Sequence, residues 1–131
     1  ICEVNNMTIT EVSKKLDIPQ DTLRYYERIG LIPPVNRTKG GIRNYSEDDC
    51  KWVEFIKCMR SAGLPIEVLI EYVNLFQQGD ETIQARKEIF IEQRRQLAEK
   101  IEEMQKTLER LDYKIAAYEN IVLEKEKLLR Q

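Results

Sequence analysis

Apolar positions in residues 7–30 recur at helical spacing and predict two short helices separated by a tight turn. Either Thr8 or Thr10 can cap the first helix, and Glu11 stands three residues after Thr8, as in a capping box. Pro19 interrupts the pattern. The apolar stripe of this first helix consists of Ile9, Val12, Leu16 and Ile18.

The second helix of the pair is predicted over residues 21–29, with Gln20 or Asp21 at its start. Gly30 follows it and supplies the left-handed conformation that commonly comes after a helix end. Because two helices and a tight turn fall within about 20 residues, the segment predicts a helix-turn-helix unit.

Residues 31–45 carry the signature of a β-hairpin. A Pro-Pro pair stops the preceding helix, and Gly40-Gly41 lie between the short segments 34–37 and 42–45. Glycine allows the positive φ that a tight hairpin turn needs. A hairpin placed directly after a helix-turn-helix unit is a wing.

A second helix pair is predicted over residues 46–78. Ser46 and the three acids that follow it make a strong helix start. The segment Gly63-Leu64-Pro65 separates the two helices, and Gly79 ends the pair. The predicted apolar faces are Trp52, Phe55, Ile56, Met59 and Ala62 on the first helix and Ile66, Leu69, Ile70, Val73 and Phe76 on the second.

Residues 80–131 contain neither glycine nor proline, and an unbroken helix of that length would measure roughly 75 Å. Two apolar positions recur every seven residues from Leu97 onward, as in a coiled coil. A helix cannot bury such a seam against itself, so we predict a homodimer; the alternative is a solvated charged helix inside a larger assembly. The predicted dimerisation residues are Leu97, Ile101, Met104, Leu108, Leu111, Ile115, Tyr118 and Val122.

The fold class is therefore mainly α, with a winged helix-turn-helix DNA-binding domain at 7–78 and a coiled-coil dimerisation helix at 80–131. The chain has 131 residues and a net charge of −2, so any DNA-binding function depends on local charge. Residues 14–43 hold seven Lys and Arg against three acids, a local charge of +4. Positive charge is thus concentrated in the helix-turn-helix and the wing.

Histidine is absent, which argues against Cys/His zinc sites and histidine-based catalysis. We expect no metal, no cofactor and no enzymatic activity. The cysteines Cys2, Cys50 and Cys58 form no C-x-x-C pair, and no segment has the pattern of a signal peptide or a membrane span. We therefore expect a cytoplasmic protein with reduced thiols and no membrane partner. Met7 is a candidate native start.

Three segments resemble the MerR family of transcriptional regulators. They are MTITEV at residues 7–12, TLRYYERIGLI at 22–32 with Pro33 after it, and RNYS at 43–46 followed by acids. The resemblance implies a winged-helix regulator whose antiparallel coiled coil presents two heads to an inverted repeat. It also implies distortion of an over-long promoter spacer so that the elements read by RNA polymerase align.

Within that family, KWVEFIKCMR at residues 51–60 with Gly63-Leu64 resembles the aldehyde- and electrophile-responsive AdhR/NmlR branch. That resemblance implies a stress-response regulator with Cys58 as its thiol sensor, whereas it does not account for Cys50. Two alternatives remain open. One is a MerR-like regulator switched by a non-covalent ligand or partner, with Cys58 inert. The other is a coiled-coil adaptor whose winged head binds protein.

The N-terminal half of a recognition helix reaches base edges in the major groove. Thr22 and Arg24 lie there, and the hydroxyl of Tyr25 suits a phosphate oxygen. Basic residues in the wing can clamp phosphates or probe the minor groove. The predicted DNA-binding set is Thr22, Arg24, Tyr25, Arg28, Arg37, Lys39, Arg43 and Tyr45, the last as a brace for the wing, with Lys57 and Arg60 as candidates for flanking phosphate.

The thiols are the candidate sensor chemistry. No cysteine follows Cys58 and no residues follow the coiled coil, so we expect neither metal sensing nor a drug pocket there. Cys58 is predicted on the flank of its helix, with Lys51 favouring the thiolate and Glu54 opposing it. The alternative is a small buried hydrophobic residue. Cys50 lies more than about 10 Å away along the same helix, too far for a disulfide.

Overall fold

The computed structural model describes residues 6–130. Its elements are α1 (Ile9–Leu16), α2 (Gln20–Arg28), α3 (Glu47–Ser61), α4 (Ile66–Gln78), a short 3-10 turn (Asp80–Thr82) and α5 (Ile83–Arg130). Within that range no regular strand is formed, and the predicted mainly α class is confirmed. One compact unit extends to Phe90 and a second begins at Ile91. The predicted domain boundary between 78 and 80 stays a prediction.

Short-range side-chain signals fix the starts of two helices. Thr8 caps α1, since its Oγ1 accepts from the Glu11 amide at 3.2 Å while the Glu11 carboxylate accepts from the Thr8 amide at 3.2 Å. Ser46 and Asp49 make the same reciprocal pair at the start of α3, at 3.1 and 2.9 Å. Each pair satisfies two backbone donors that a helix start leaves open.

One hydrophobic core joins both helix pairs to the loop between them. Every element from α1 to α4 contributes to it, as do residues on both sides of the wing. The wing is therefore anchored in the same core as the two helices that precede it. Its most deeply buried members are Val12, Leu23, Leu31, Ile32, Tyr45, Val53, Ile56, Leu69 and Val73.

The buried face of α3 differs from the predicted one. Cys50, Val53 and Ile56 point into the core, whereas Trp52, Phe55 and Met59 are only partly buried and Ala62 is exposed. Helical periodicity allows either of these neighbouring faces, and the packing of α1, α2 and α4 selects the one with smaller side chains. On α4 the predicted stripe is buried at Leu69 and Val73, but Phe76 at its end is exposed.

The large aromatic side chains displaced from the core form a cluster of their own. Trp52 lies 4.9 Å from Phe76 between ring centroids, and Tyr72 lies 4.5 Å from Phe90. Phe55 contacts Trp52, Tyr72 and Phe90 at 5.7–6.2 Å. Offset and edge contacts of this kind add stability beyond buried area. The start of α5 is thereby packed against α3 and α4.

The long helix α5 has a different character. None of its residues from Ile83 to Arg130 is buried within the single chain. Ion pairs between neighbouring turns, such as Arg95 with Glu92 and Glu99 at 2.6 Å, stabilise its surface weakly. In the part of the chain that the structure describes, no helix has both the length and the apolar character that crossing a bilayer requires.

Candidate nucleic-acid interface

Helix α2 buries one face and presents the opposite one to solvent. Leu23 and Tyr26 pack in the core, whereas Arg24, Tyr25 and Arg28 are exposed. Thr22 is half-buried. This division follows from helical spacing, and it leaves two arginines and a tyrosine hydroxyl on one outward surface.

Contacts within α2 hold those outward side chains in place. Arg24 Nη1 donates to Asp21 Oδ1 at 2.9 Å. The guanidinium of Arg28 lies 5.5 Å from the ring centre of Tyr25, within cation–π distance. Both contacts are exposed to water and weak, so phosphates or bases can replace them at little cost.

The predicted hairpin is present as an antiparallel loop without regular strands. Its two legs are residues 34–37, the entry leg, and residues 42–45, the exit leg. Arg37 and Arg43 form an isolated antiparallel bridge, and the Thr38 amide donates to the Ile42 carbonyl at 2.7 Å. The turn between them needs glycine at Gly41, where φ is +81°. This antiparallel loop places Arg37, Lys39 and Arg43 on one projection beside α2.

A third backbone segment, not predicted from the sequence, braces the wing. Met7 and Tyr45 exchange two backbone hydrogen bonds of 2.8 Å, so the start of the chain pairs with the exit of the wing. The Tyr45 side chain is fully buried, with an exposure of 0%. A contact between this side chain and DNA is incompatible with that burial, and the predicted role of Tyr45 as a brace for the wing agrees with its position.

Glu27 connects α2 to both legs of the wing. Its Oε2 accepts from the Val35 amide at 2.8 Å, and its Oε1 accepts from Arg43 Nε at 2.7 Å. Burial alone would raise the pKa of Glu27, but the hydrogen bonds from Arg43 and Val35 outweigh it and hold that pKa below its usual value. The carboxylate is therefore ionised at neutral pH and fixed in position.

A cleft between α2 and the wing brings the predicted basic residues together. It is lined by Arg24, Glu27, Arg28, Pro34, Arg37 and Arg43. Four guanidinium groups around one carboxylate give the cleft a net positive charge. A guanidinium group can donate two parallel hydrogen bonds to two oxygens of one phosphate. Of the predicted set, Lys39 is exposed near the wing turn, outside the lining of the cleft.

The two thiols on α3 differ in environment. Cys50 is 7% exposed, and burial raises the pKa of its thiol. Cys58 is exposed on the flank of the helix, as predicted, and both thiols are free among the described residues. Cys2 lies outside the described residues. Since attack on electrophiles needs an accessible thiolate, the chemistry favours Cys58 over Cys50.

Lys57, beside Cys58, ties α3 to the helix-turn-helix. Its Nζ donates to the Leu16 carbonyl at 2.6 Å, at the C-terminal end of α1. Only the three-dimensional packing could reveal this role, because 41 residues separate donor and acceptor. The role of Glu27 was likewise not predicted from the sequence, because its contacts are also with residues distant in the chain. Its position among arginines was a signal that could have indicated this role.

The predicted dimerisation residues lie along α5 with their apolar surface uncovered. Ile101, Met104, Leu108, Leu111, Ile115, Tyr118 and Val122 are each exposed by half or more, whereas Leu97 is partly covered. Exposed apolar surface of this extent on one helix is typical of an interface.

The comparisons with known proteins identify the class. Residues 7–75 match the family model described as "MerR HTH family regulatory protein", and residues 51–113 match the one described as "MerR, DNA binding". The chain belongs to the MerR family of DNA-binding transcriptional regulators. Because its relatives are regulators, the prediction that the chain is no enzyme is confirmed.

Individual relatives show which members of the MerR family this chain is similar to. The chain is 58% identical over 93 residues to the HTH-type transcriptional regulator AdhR of Bacillus subtilis, a match that covers 71% of this chain and 66% of that protein. It is 44% identical to a MerR family regulator from Listeria monocytogenes, over 95% and 94% of the two chains with a TM-score of 0.89. The match to AdhR, together with the match to HiNmlR described next, confirms the predicted resemblance to the AdhR/NmlR branch.

The third relative is HiNmlR, described as a MerR family regulator lacking the sensor domain and bound to promoter DNA. It is 29% identical to this chain over 88% and 91% of the two chains, and the TM-score is 0.79. The described architecture is a head, formed by α1–α4 with the wing, and a long C-terminal helix. It is thus that of known MerR regulators.

Thiol labelling will distinguish the two cysteines of α3. At about pH 8, close to the ordinary thiol pKa, limiting iodoacetamide should modify Cys58 well before Cys50, because Cys50 is buried and its pKa is raised. Peptide mass spectrometry in a Cys2→Ser background measures both rates. Equal rates in the folded protein would contradict the assignment, and unfolding in urea should make the rates converge.

Proposed function

We propose that this protein binds an inverted repeat in promoter DNA as a cytoplasmic homodimer and controls transcription by RNA polymerase in response to reactive aldehydes or other electrophiles. DNA distortion is the means of activation, and Cys58 is the sensor. The cleft between α2 and the wing carries this proposal, because four arginines converge there on the exposed side of the recognition helix.

The proposed DNA contact uses two surfaces of one rigid head. Arg24 and Tyr25 on α2 face the major groove, with Thr22 beside them and Arg28 toward the backbone. The wing brings Arg37, Lys39 and Arg43 to neighbouring phosphates of the DNA backbone or to the minor groove. The common anchoring of α2 and the wing in one core supports a fixed spacing between the two contacts.

The proposed dimer gives the target its symmetry. Two identical heads joined through the seam of α5 read two half-sites, and the coil fixes their separation. That HiNmlR is described as bound to promoter DNA while lacking a sensor domain supports a similar use of this chain. Bending and untwisting a promoter spacer costs energy that depends on its sequence.

The proposed switch starts at Cys58 and reaches the DNA-binding helices through α3. An adduct at this exposed thiol adds volume to the residue of α3 that follows Lys57, and the ammonium of Lys57 holds the C-terminal end of α1. A shift of α3 therefore displaces the helix-turn-helix, and in a dimer both heads shift together. The similarity to AdhR and the accessibility of the thiol support this route.

A second candidate is a regulator switched by a non-covalent ligand. A cavity of about 590 Å³ beside the aromatic cluster is lined by Trp52, Phe55, Tyr72 and Phe76, with Asp48 and Lys51 among its polar neighbours. This volume lies within the range of small-molecule sites. Such a ligand would need no thiol, so the response of a Cys58 variant separates the two candidates.

Binding to promoter fragments, including the region upstream of the protein's own coding sequence, tests the DNA function. Arg24→Ala should cost roughly 1–3 kcal/mol and relax base preference, because Arg24 reads a base edge. Lys39→Ala should weaken all sequences alike and flatten the salt dependence by about one phosphate contact. If neither change altered affinity for any inverted-repeat duplex, the head would instead bind protein, as in an adaptor.

A further inference from the structure

We propose that Glu27 determines how strongly the protein prefers its operator over other DNA. Its carboxylate holds both legs of the wing against α2, and its charge weakens binding to duplexes that do not match. The proposal rests on the proposed function, since it assumes that the cleft between α2 and the wing faces DNA. Glu27 acts as a positioning residue, through Arg43 and the wing backbone.

The side chain of Glu27 fixes two parts of the wing at once. Val35 begins the entry leg and Arg43 lies on the exit leg, and the two oxygens of Glu27 take one hydrogen bond from each. Both side chains of the ion pair are well covered, with exposures of 15% for Glu27 and 22% for Arg43. Water therefore screens this pair little, unlike the exposed pair of Arg24 and Asp21.

The same contact orients Arg43 toward an outside acceptor. Its Nε is occupied by Glu27 at 2.7 Å. A guanidinium has five N–H donors, so the two terminal nitrogens still carry donors for a phosphate or a base. A wing held in place in advance loses less conformational freedom when DNA binds, and this gain is realised only where phosphates and bases match the fixed geometry.

The negative charge of Glu27 has a second effect, which is to weaken binding to unmatched DNA. Binding to unmatched DNA depends on phosphate neutralisation by Lys and Arg, and it grows with each net positive charge. Among the described residues that line the cleft, Glu27 is the only acid, and it offsets one of four arginines there. Its removal should strengthen binding to unmatched duplexes while loosening the wing, so the two affinities change in opposite directions.

The Glu27→Gln variant tests the positioning of the wing and the effect of the charge at once. A glutamine has one acceptor oxygen, and its NH2 group repels any N–H donor that it faces, so only one of the two contacts, with Val35 or with Arg43, can persist. The probes are a duplex enriched by the native protein from a randomised inverted-repeat pool and a scrambled duplex of the same composition. We expect weaker binding to the enriched duplex, severalfold stronger binding to the scrambled one, and a preference reduced at least about tenfold. The salt dependence on the scrambled duplex should steepen by up to about one counterion.

Two further variants separate charge from position. Glu27→Asp keeps the charge but shortens the reach, so it should lose affinity for the enriched duplex with unchanged binding to the scrambled one. Asp17→Asn is the matched charge control, because it removes one exposed acid from the same head at a left-handed position that asparagine tolerates. It should leave the preference unchanged. Thermal unfolding establishes that each variant is folded at the assay temperature.

The outcomes are distinct. An equal loss of affinity for both duplexes in Glu27→Gln would identify a purely structural residue and overturn the inference, as would an unchanged preference. If Glu27→Gln fails to fold, Glu27→Asp decides, and an unchanged preference in that variant overturns the inference. If the native protein enriches no duplex from the pool, the proposed DNA function itself fails, and this inference fails with it.

Discussion

The Leu108→Glu variant is expected to be monomeric, with a light-scattering mass near the 15.5 kDa of one chain, whereas the native protein should give about twice that mass at micromolar concentration. Leu108 lies in the middle of the seam and is 51% exposed in the single chain, so in the proposed dimer a second copy would supply its apolar neighbours. In that dimer a carboxylate at this position faces apolar side chains of the partner helix. An unpaired charge in such an interface costs several kcal/mol.

The same substitution should also abolish operator binding. Two linked heads bind far more tightly than one, typically by a factor of about 10² or more, because the second contact becomes intramolecular. Gel-shift titration with an inverted-repeat duplex measures the loss. Asn120→Glu is the matched control, since it adds the same single negative charge outside the two seam positions on exposed helix surface. A native protein that is monomeric at micromolar concentration would contradict the architecture.

The Cys58→Ala variant is expected to fold, dimerise and bind the operator, yet to lose the transcriptional response to aldehydes completely. Cys58 is exposed, so its truncation removes little packing. An adduct that shifts α3 alters half-site geometry and DNA twist rather than contact chemistry, so transcription should change more than affinity. Run-off transcription from the target promoter, with and without methylglyoxal, measures the response.

Cys50→Ala is the matched control for that experiment. Its thiol is buried with a raised pKa, so the variant should respond normally at some cost in stability. A fully responsive Cys58→Ala protein would exclude the thiol mechanism and favour a ligand in the cavity beside Trp52. Loss of response in Cys50→Ala alone would mean that the core thiol is the sensor.

The elements that could be predicted from the sequence are those with short-range causes. Thr8 with Glu11 and Ser46 with Asp49 act across three residues, so the helix starts were readable. The wing turn at Gly41 and the helix end at Gly30 were readable because both positions adopt positive φ. The seam of α5 follows from a repeat of seven residues, which needs no knowledge of the rest of the fold.

What could not be predicted depends on partners distant in the chain. The choice between Cys50 and Trp52 as the buried side of α3 is made by the other helices of the core. The contacts of Glu27 with Arg43 and of Lys57 with Leu16 span 16 and 41 residues. The DNA-contacting roles of Arg24 and the wing residues, and the reactivity of Cys58, stay predictions.

The uncovered seam of α5 has a consequence for how long each molecule survives. During synthesis the head emerges from the ribosome first, and the seam follows without a surface of its own chain to bury it. Until a second chain arrives, those leucines and isoleucines are open to chaperones and proteases, and the helix is held mainly by local ion pairs. We therefore expect unpaired copies to be degraded preferentially. The amount of regulator in a cell should then rise more steeply than its rate of synthesis.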